Sequence, residues 1–203
     1  MMWTDLFSPS RASKTAEKGV VLLHGRSKSA RSILPLAHEL GLQEHLLVTP
    51  EATTGSEGSW YPYSTLAPRS MNEPWLSESL EKVHGTVEDL LKERPAEQLI
   101  LAGFAQGACL ALEYALRNPR PYAAVLSLHG VLMDHQHLNP NPSTLFYFCS
   151  SENDPLIPAW KVRESHETLC LRGAKSKLRL YAGMHDAIPP EELVHIQAAL
   201  GLD

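Results

Sequence analysis

Gly103-Phe104-Ala105-Gln106-Gly107 has the spacing of a catalytic turn but lacks its reactive atom. The preceding run, Gln98-Leu99-Ile100-Leu101-Ala102, has the length and apolarity of a buried strand. The following run, Ala108 to Leu116, is apolar almost all round and rich in small residues, as a buried helix is. Glycines two before and two after the centre let strand and helix pack closely around a strained turn, the context of the G-x-S-x-G nucleophile elbow. A serine at the centre would offer a hydroxyl for attack on a carbonyl. Here the centre is Ala105, and a methyl group cannot attack. Glycine pairs at this spacing are common, so the rest of the chain must decide whether the turn is an elbow.

An elbow needs a parallel sheet to hold it, and the chain alternates short apolar runs with helical patterns along most of its length. Val20-Val21-Leu22-Leu23, Leu46-Leu47-Val48, Ala123-Ala124-Val125-Leu126, Leu145-Phe146-Tyr147-Phe148 and Leu178-Arg179-Leu180-Tyr181 read as further strands. Helical patterns fall at about Ala30 to Leu40, Leu76 to Leu91, Trp160 to Leu171 and from Pro189-Pro190-Glu191-Glu192 onward. Near-continuous apolar strands alternating with helices predict an α/β fold, a doubly wound, mostly parallel sheet covered on both faces. With no internal repeat and no linker, residues 1–203 form a single domain. Sites in such folds form at the carboxyl ends of strands. The segment from about residue 50 to 75 is long and aperiodic but holds Trp60-Tyr61-Pro62-Tyr63, so it reads as a folded flap over the site.

Composition narrows the partners. Hydrophobic residues make up 43% and charged residues 20%, ordinary globular values, and a net charge of -5 without a basic cluster argues against nucleic acid. No apolar run approaches the length of about 20 residues that spans a membrane, and the first residues lack a secretory pattern, so a cytoplasmic location is expected. Cys109, Cys149 and Cys170 have unrelated spacings and form neither a metal motif nor a disulfide frame. His24, His129, Asp154, His185 and Asp186 could share one rim, but without paired ligand motifs no metal is expected.

Six phrases together resemble the phospholipase/carboxylesterase family of α/β-hydrolases, which includes acyl-protein thioesterases. They are Leu23-His24-Gly25-Arg26, Trp60-Tyr61-Pro62-Tyr63-Ser64, Asn72-Glu73-Pro74-Trp75-Leu76, Gly103-Phe104-Ala105-Gln106-Gly107-Ala108, Asp154-Pro155-Leu156-Ile157-Pro158 and Gly183-Met184-His185. They run in the family's order from about Val20 to Leu193. The resemblance implies an α/β-hydrolase fold and ester or thioester hydrolysis, without a cofactor, by a Ser-Asp-His triad in that order. It places Ala105 at the nucleophile position, Asp154 at the triad acid and His185 at the base. The amides of Arg26 and Gln106 fall at the oxyanion hole. Trp60, Tyr61 and Tyr63 of the flap, with Phe104 and His129, are the candidate contacts for a small ester or related apolar substrate. Some relatives dimerise, so a homodimer is compatible.

The departures cluster at strand ends. Ser27-Lys28 stands where relatives with the same phrase carry two glycines, and Leu128-His129-Gly130 where serine-glycine is common. Aligned without a gap on Met184 and Ile188-Pro189, Asp186 occupies the histidine's place and His185 falls one residue early. A one-residue shortening of the preceding loop would restore His185. An alanine introduced to silence a serine enzyme would leave these loops intact, so their divergence favours a natural origin for Ala105. Three functions follow. One is an esterase silenced at its serine, unable to hydrolyse esters covalently as written. The second is a natural relative doing non-covalent acid–base chemistry (isomerase, lyase or cyclase) with His185 or His129 as base. The third is a ligand-binding pseudoenzyme.

Overall fold

The computed structural model describes residues 18–52, 57–135, 138–183 and 188–202. Among the described residues six strands, β1 (Gly19–Leu23), β2 (Leu46–Val48), β3 (Leu99–Phe104), β4 (Ala124–Leu128), β5 (Leu145–Ser151) and β6 (Lys175–Tyr181), form one sheet in the order β2-β1-β3-β4-β5-β6. Every pairing is parallel. The described α-helices that connect or follow them are α1 (Leu34–Glu39), α2 (Trp75–Leu91), α3 (Gln106–Arg117), α4 (Ala159–Leu171) and α5 (Pro190–Leu200).

Alternate residues of each central strand feed two cores. Val21, Leu23, Leu101, Val125, Phe146 and Phe148 pack with Val83, Leu110 and Val162 from α2, α3 and α4. Val20, Leu22, Ile100, Leu126 and Tyr147 pack with Ala37, Ile196 and Leu200 from α1 and α5. The sheet is therefore doubly wound, as its apolar strands require, because a strand buried on both faces leaves no side for water. Only β6 differs. It starts at Lys175, three residues earlier than its apolar run, and alternates exposed with half-buried residues. Lysines and arginine along an outer strand discourage pairing with another sheet.

Strand order reverses between β1 and β3. Connections from these two strands leave toward opposite faces, opening a crevice at their carboxyl ends, where α/β sheets place ligands. Gly25 follows β1 and Ala105 follows β3, so both lie at that switch point.

Candidate active site

Ala105 has φ 50° and ψ −112° and separates the last residue of β3 from the first of α3. This is the sharp, strained strand-to-helix turn of an elbow, in a backbone region that alanine rarely enters. Its amide donates to Leu128 O at 2.8 Å, which ties the turn to the end of β4. The flanking glycines are required by contact. A Cβ on Gly103 would lie 2.4 Å from the Gly107 carbonyl carbon, and one on Gly107 would lie 2.3 Å from Leu23 O. Helix α3 thus sits directly against the ends of β1 and β3. Gln106 opens α3, and its amide is among the N–H groups that a helix leaves without an internal partner.

The flap is held by the residues around this turn. The buried Gln106 side chain accepts from Trp60 N at 2.9 Å and donates from Nε2 to Tyr61 O at 2.8 Å. Arg26 donates from Nη1 to Pro62 O at 2.6 Å and from Nη2 to Tyr63 O. Lys28 N donates to Gly58 O at 3.2 Å, and Ser27 N to Ser59 Oγ at 3.2 Å. Residues 58–63 are therefore stitched to both the loop after β1 and the start of α3. Ser27 has φ 53°, so the left-handed turn that glycine would relieve is kept with a serine.

Trp60 and Tyr61 are fully buried in the first core. Trp60 Nε1 donates to His24 O at 2.8 Å, its ring stacks on His24 at 4.8 Å, and Ser79 Oγ donates to its carbonyl at 2.6 Å. Tyr61 Oη pairs with Thr65 Oγ1 at 3.0 Å. The sequence places these aromatics over the site, whereas the fold uses them as struts beneath it. Tyr63 remains on the surface, 47% exposed.

Beside the elbow, on the α1 side, lies a cavity of about 510 Å³. Gly25 and Phe104 form its inner end, Ile33, Leu36 and Ile188 its apolar wall, and Lys28, Ser32 and Glu39 its polar groups. Neither Trp60 nor Ala105 is among the residues lining this cavity.

The acid finds a histidine, and it comes from β4. His129 Nδ1 lies 2.7 Å from Asp154 Oδ2, with both side chains fully buried. Asp154 Oδ1 also accepts from the Leu156 and Ile157 amides at 2.8 and 2.9 Å. On the other side of the ring, His129 Nε2 lies 2.6 Å from Tyr181 Oη. Burial pushes the Tyr181 phenol above its ordinary pKa, so it stays protonated and donates to Nε2. His129 then carries its proton on Nδ1 and donates it to the carboxylate. The ring also contacts Phe104, at 5.2 Å between centroids.

His129 adopts φ 54°, and its amide donates to Cys149 O at 2.8 Å, which aims the ring across the end of β5. The sequence singles out His129 as a substrate contact and possible base, and singles out Asp154 as the triad acid, without linking the two. A signal was present: one follows β4 and the other follows β5, and neighbouring parallel strands bring such ends together. In the sequence Tyr181 shows only as the last residue of a strand. His185 and Asp186 lie outside the described residues. Arg179 donates to both Glu192 oxygens at 2.7 Å and joins β6 to α5.

His24 is held neutral. Its Nδ1 donates to Gly25 O at 2.9 Å, its Nε2 accepts from Ala52 N at 3.2 Å, and burial lowers its pKa. Among the described residues no group of three or more His, Cys, Asp and Glu side chains is placed to hold a metal ion. No described helix is long and apolar enough to cross a membrane.

Comparison with known proteins places this geometry. Residues 8–202 match the phospholipase/carboxylesterase family. The acyl-protein thioesterase 1 of Saccharomyces cerevisiae is 27% identical over 125 residues, which are 57% of this chain and 54% of that protein. The chain thus matches about half the length of that relative. A phospholipase/carboxylesterase structure from Dyadobacter fermentans has 34% identity and a TM-score of 0.83, covering 91% of this chain and 90% of its own. Arabidopsis thaliana SOBER1 shares the fold, with a TM-score of 0.76 at 19% identity, over 92% of this chain and 99% of its own.

Proposed function

Since the chain belongs to the phospholipase/carboxylesterase family, we propose that it keeps the family's carbonyl-binding scaffold but works without a covalent acyl-enzyme. In this reading a small ester-like or related carbonyl compound enters the cavity beside Gly25 and Phe104. Its oxygen is met by the amides of Gln106 and Arg26, which stabilise a developing oxyanion or enolate. Ala105 supplies no nucleophile, so the remaining chemistry is transfer of a proton.

One observation carries the reading: Asp154 and His129 lie 2.7 Å apart and fully buried, next to a turn whose central side chain is a methyl. Burying a carboxylate costs several kcal/mol unless donors compensate it, as three do here. A histidine oriented by a buried carboxylate is an arrangement suited to moving a proton. This favours non-covalent catalysis over a purely binding role.

The test is hydrogen exchange at the α-carbon of cyclohexanone, a small ketone with no leaving group. The protein in D₂O should incorporate deuterium faster than buffer alone, followed by mass spectrometry. Incorporation no faster than buffer contradicts the reading.

A further inference from the structure

We infer that Lys28 makes the cavity beside the elbow selective for a carbonyl compound that also carries a carboxylate, such as a keto acid. The inference rests on the reading above, that a carbonyl compound enters beside Gly25 and Phe104, and names its class. Among the described residues that line the cavity, Lys28, Ser32 and Glu39 have the polar side chains. Ser32 Oγ donates to Ser29 O at 2.6 Å and accepts from Ser29 N at 3.1 Å, so its proton serves the turn before α1. Glu39 is a carboxylate and brings no proton to donate. Arg26, in the same loop, is turned onto Pro62 O and Tyr63 O. Lys92 and Lys161 lie against Asp89 and Glu164 at 2.7 and 2.8 Å. The Lys28 ammonium has no such partner among the described residues. It is the side-chain donor that this wall leaves for a ligand.

The backbone fixes where that charge sits. Lys28 N donates to Gly58 O at 3.2 Å, and a Cβ on Gly58 would lie 2.4 Å from Lys28 O. Both contacts are made by the main chain, so they survive a change of side chain at position 28. Lys28 follows Gly25 by three residues and belongs to the elbow end of the cavity. Glu39 closes α1, six residues beyond Ile33, which is about 9 Å along a helix. The two charges form no ion pair with each other among the described residues. A ligand carboxylate is attracted by the first and repelled by the second, which turns its charged end toward the elbow and its hydrocarbon toward Leu36. The chain as a whole carries a net charge of -5, so its overall field does not favour anions and the preference is local to Lys28. One ammonium suits a monoanion, because a phosphate brings more charge and more oxygens than a single lysine pairs with.

The test uses three ketones on one ring: cyclohexanone, 4-oxocyclohexanecarboxylate and 4-(dimethylamino)cyclohexanone. Their dissociation constants are measured by NMR titration with the parent protein, Lys28→Met and Lys28→Arg. Methionine keeps most of the stem without the charge, and arginine keeps the charge. The parent should bind the carboxylate about 5- to 10-fold more tightly than cyclohexanone. That ratio should fall to about one in Lys28→Met, persist in Lys28→Arg, and shrink for the parent as salt is raised. Equal affinity for the three compounds, or a ratio that survives Lys28→Met, overturns the inference and leaves the non-covalent reading to its own exchange test. Preference for the amine assigns recognition to Glu39 and also overturns it. Binding of none of the three overturns both.

Discussion

His129 Nδ1 lies 2.7 Å from Asp154 Oδ2, joining the ends of β4 and β5 inside the protein. The carboxylate that the family resemblance assigns to a triad thus holds a histidine from a position where relatives commonly carry serine-glycine. Around it the elbow scaffold is intact, with its strained turn, its two contact-limited glycines and its helix. The buried pair and the strained turn thus lie side by side at the carboxyl ends of β3, β4 and β5.

Asp154→Asn should be strongly destabilising despite its equal size. Three N–H donors converge on the two carboxylate oxygens. An amide has one oxygen, so either orientation turns its NH₂ toward a donor. The expected loss is about 2–4 kcal/mol, set by buried polar groups left unsatisfied. Urea denaturation checks it, and an unchanged midpoint would show that these bonds do not form in solution.

Gln106→Leu should loosen the flap. The substitution removes the acceptor for Trp60 N and the donor for Tyr61 O, both within the core. With two buried backbone groups unpaired, a loss of about 2–4 kcal/mol is expected. Hydrogen exchange should show protection falling first at residues 58–63, which Arg26, Ser27, Lys28 and Gln106 hold together. Uniform loss across the sheet would contradict this local role.

Much of this was legible in the sequence, for identifiable reasons. Val20 to Leu23 and Leu99 to Ala102 are apolar on both faces and could only be buried strands. The elbow could be read because its glycines are dictated by backbone contacts local to one turn. The start of β6 was not legible, since Lys175, Lys177 and Arg179 alternate with half-buried residues on an edge. Trp60 could not be told from a ligand contact, because its placement depends on single hydrogen bonds to His24 and Gln106 that leave no periodicity. The pairing of His129 with Asp154 joins positions 25 residues apart, and only the strand order brings them together.

Stability should fall with acid through His24. Burial lowers its pKa in the folded protein, while in the unfolded chain it titrates near the usual value of about 6.5. Below about pH 6.5 the unfolded chain therefore binds more protons, and stability declines as pH falls toward the folded pKa, then levels off. Above about pH 6.5 both states are neutral and the full contribution is present. Denaturation at a series of pH values should show this decline, with a shallower one in His24→Gln. His166 is also lowered by burial and contributes to both curves, so the difference between them isolates His24. Parallel curves would contradict the assignment.

The central claim, that this scaffold works without an acyl-enzyme, is tested most directly by restoring the nucleophile. The parent protein and Ala105→Ser are mixed with p-nitrophenyl butyrate, and p-nitrophenol release and intact protein mass are followed together. The parent should release nothing above buffer and acquire no butyryl group. Ala105→Ser should release p-nitrophenol only feebly, because the His129 ring is buried and its Nε2 is engaged by Tyr181. A misplaced base alone costs roughly 100-fold. Acylation of the parent protein, or full esterase turnover in Ala105→Ser with a clear burst, would contradict the account.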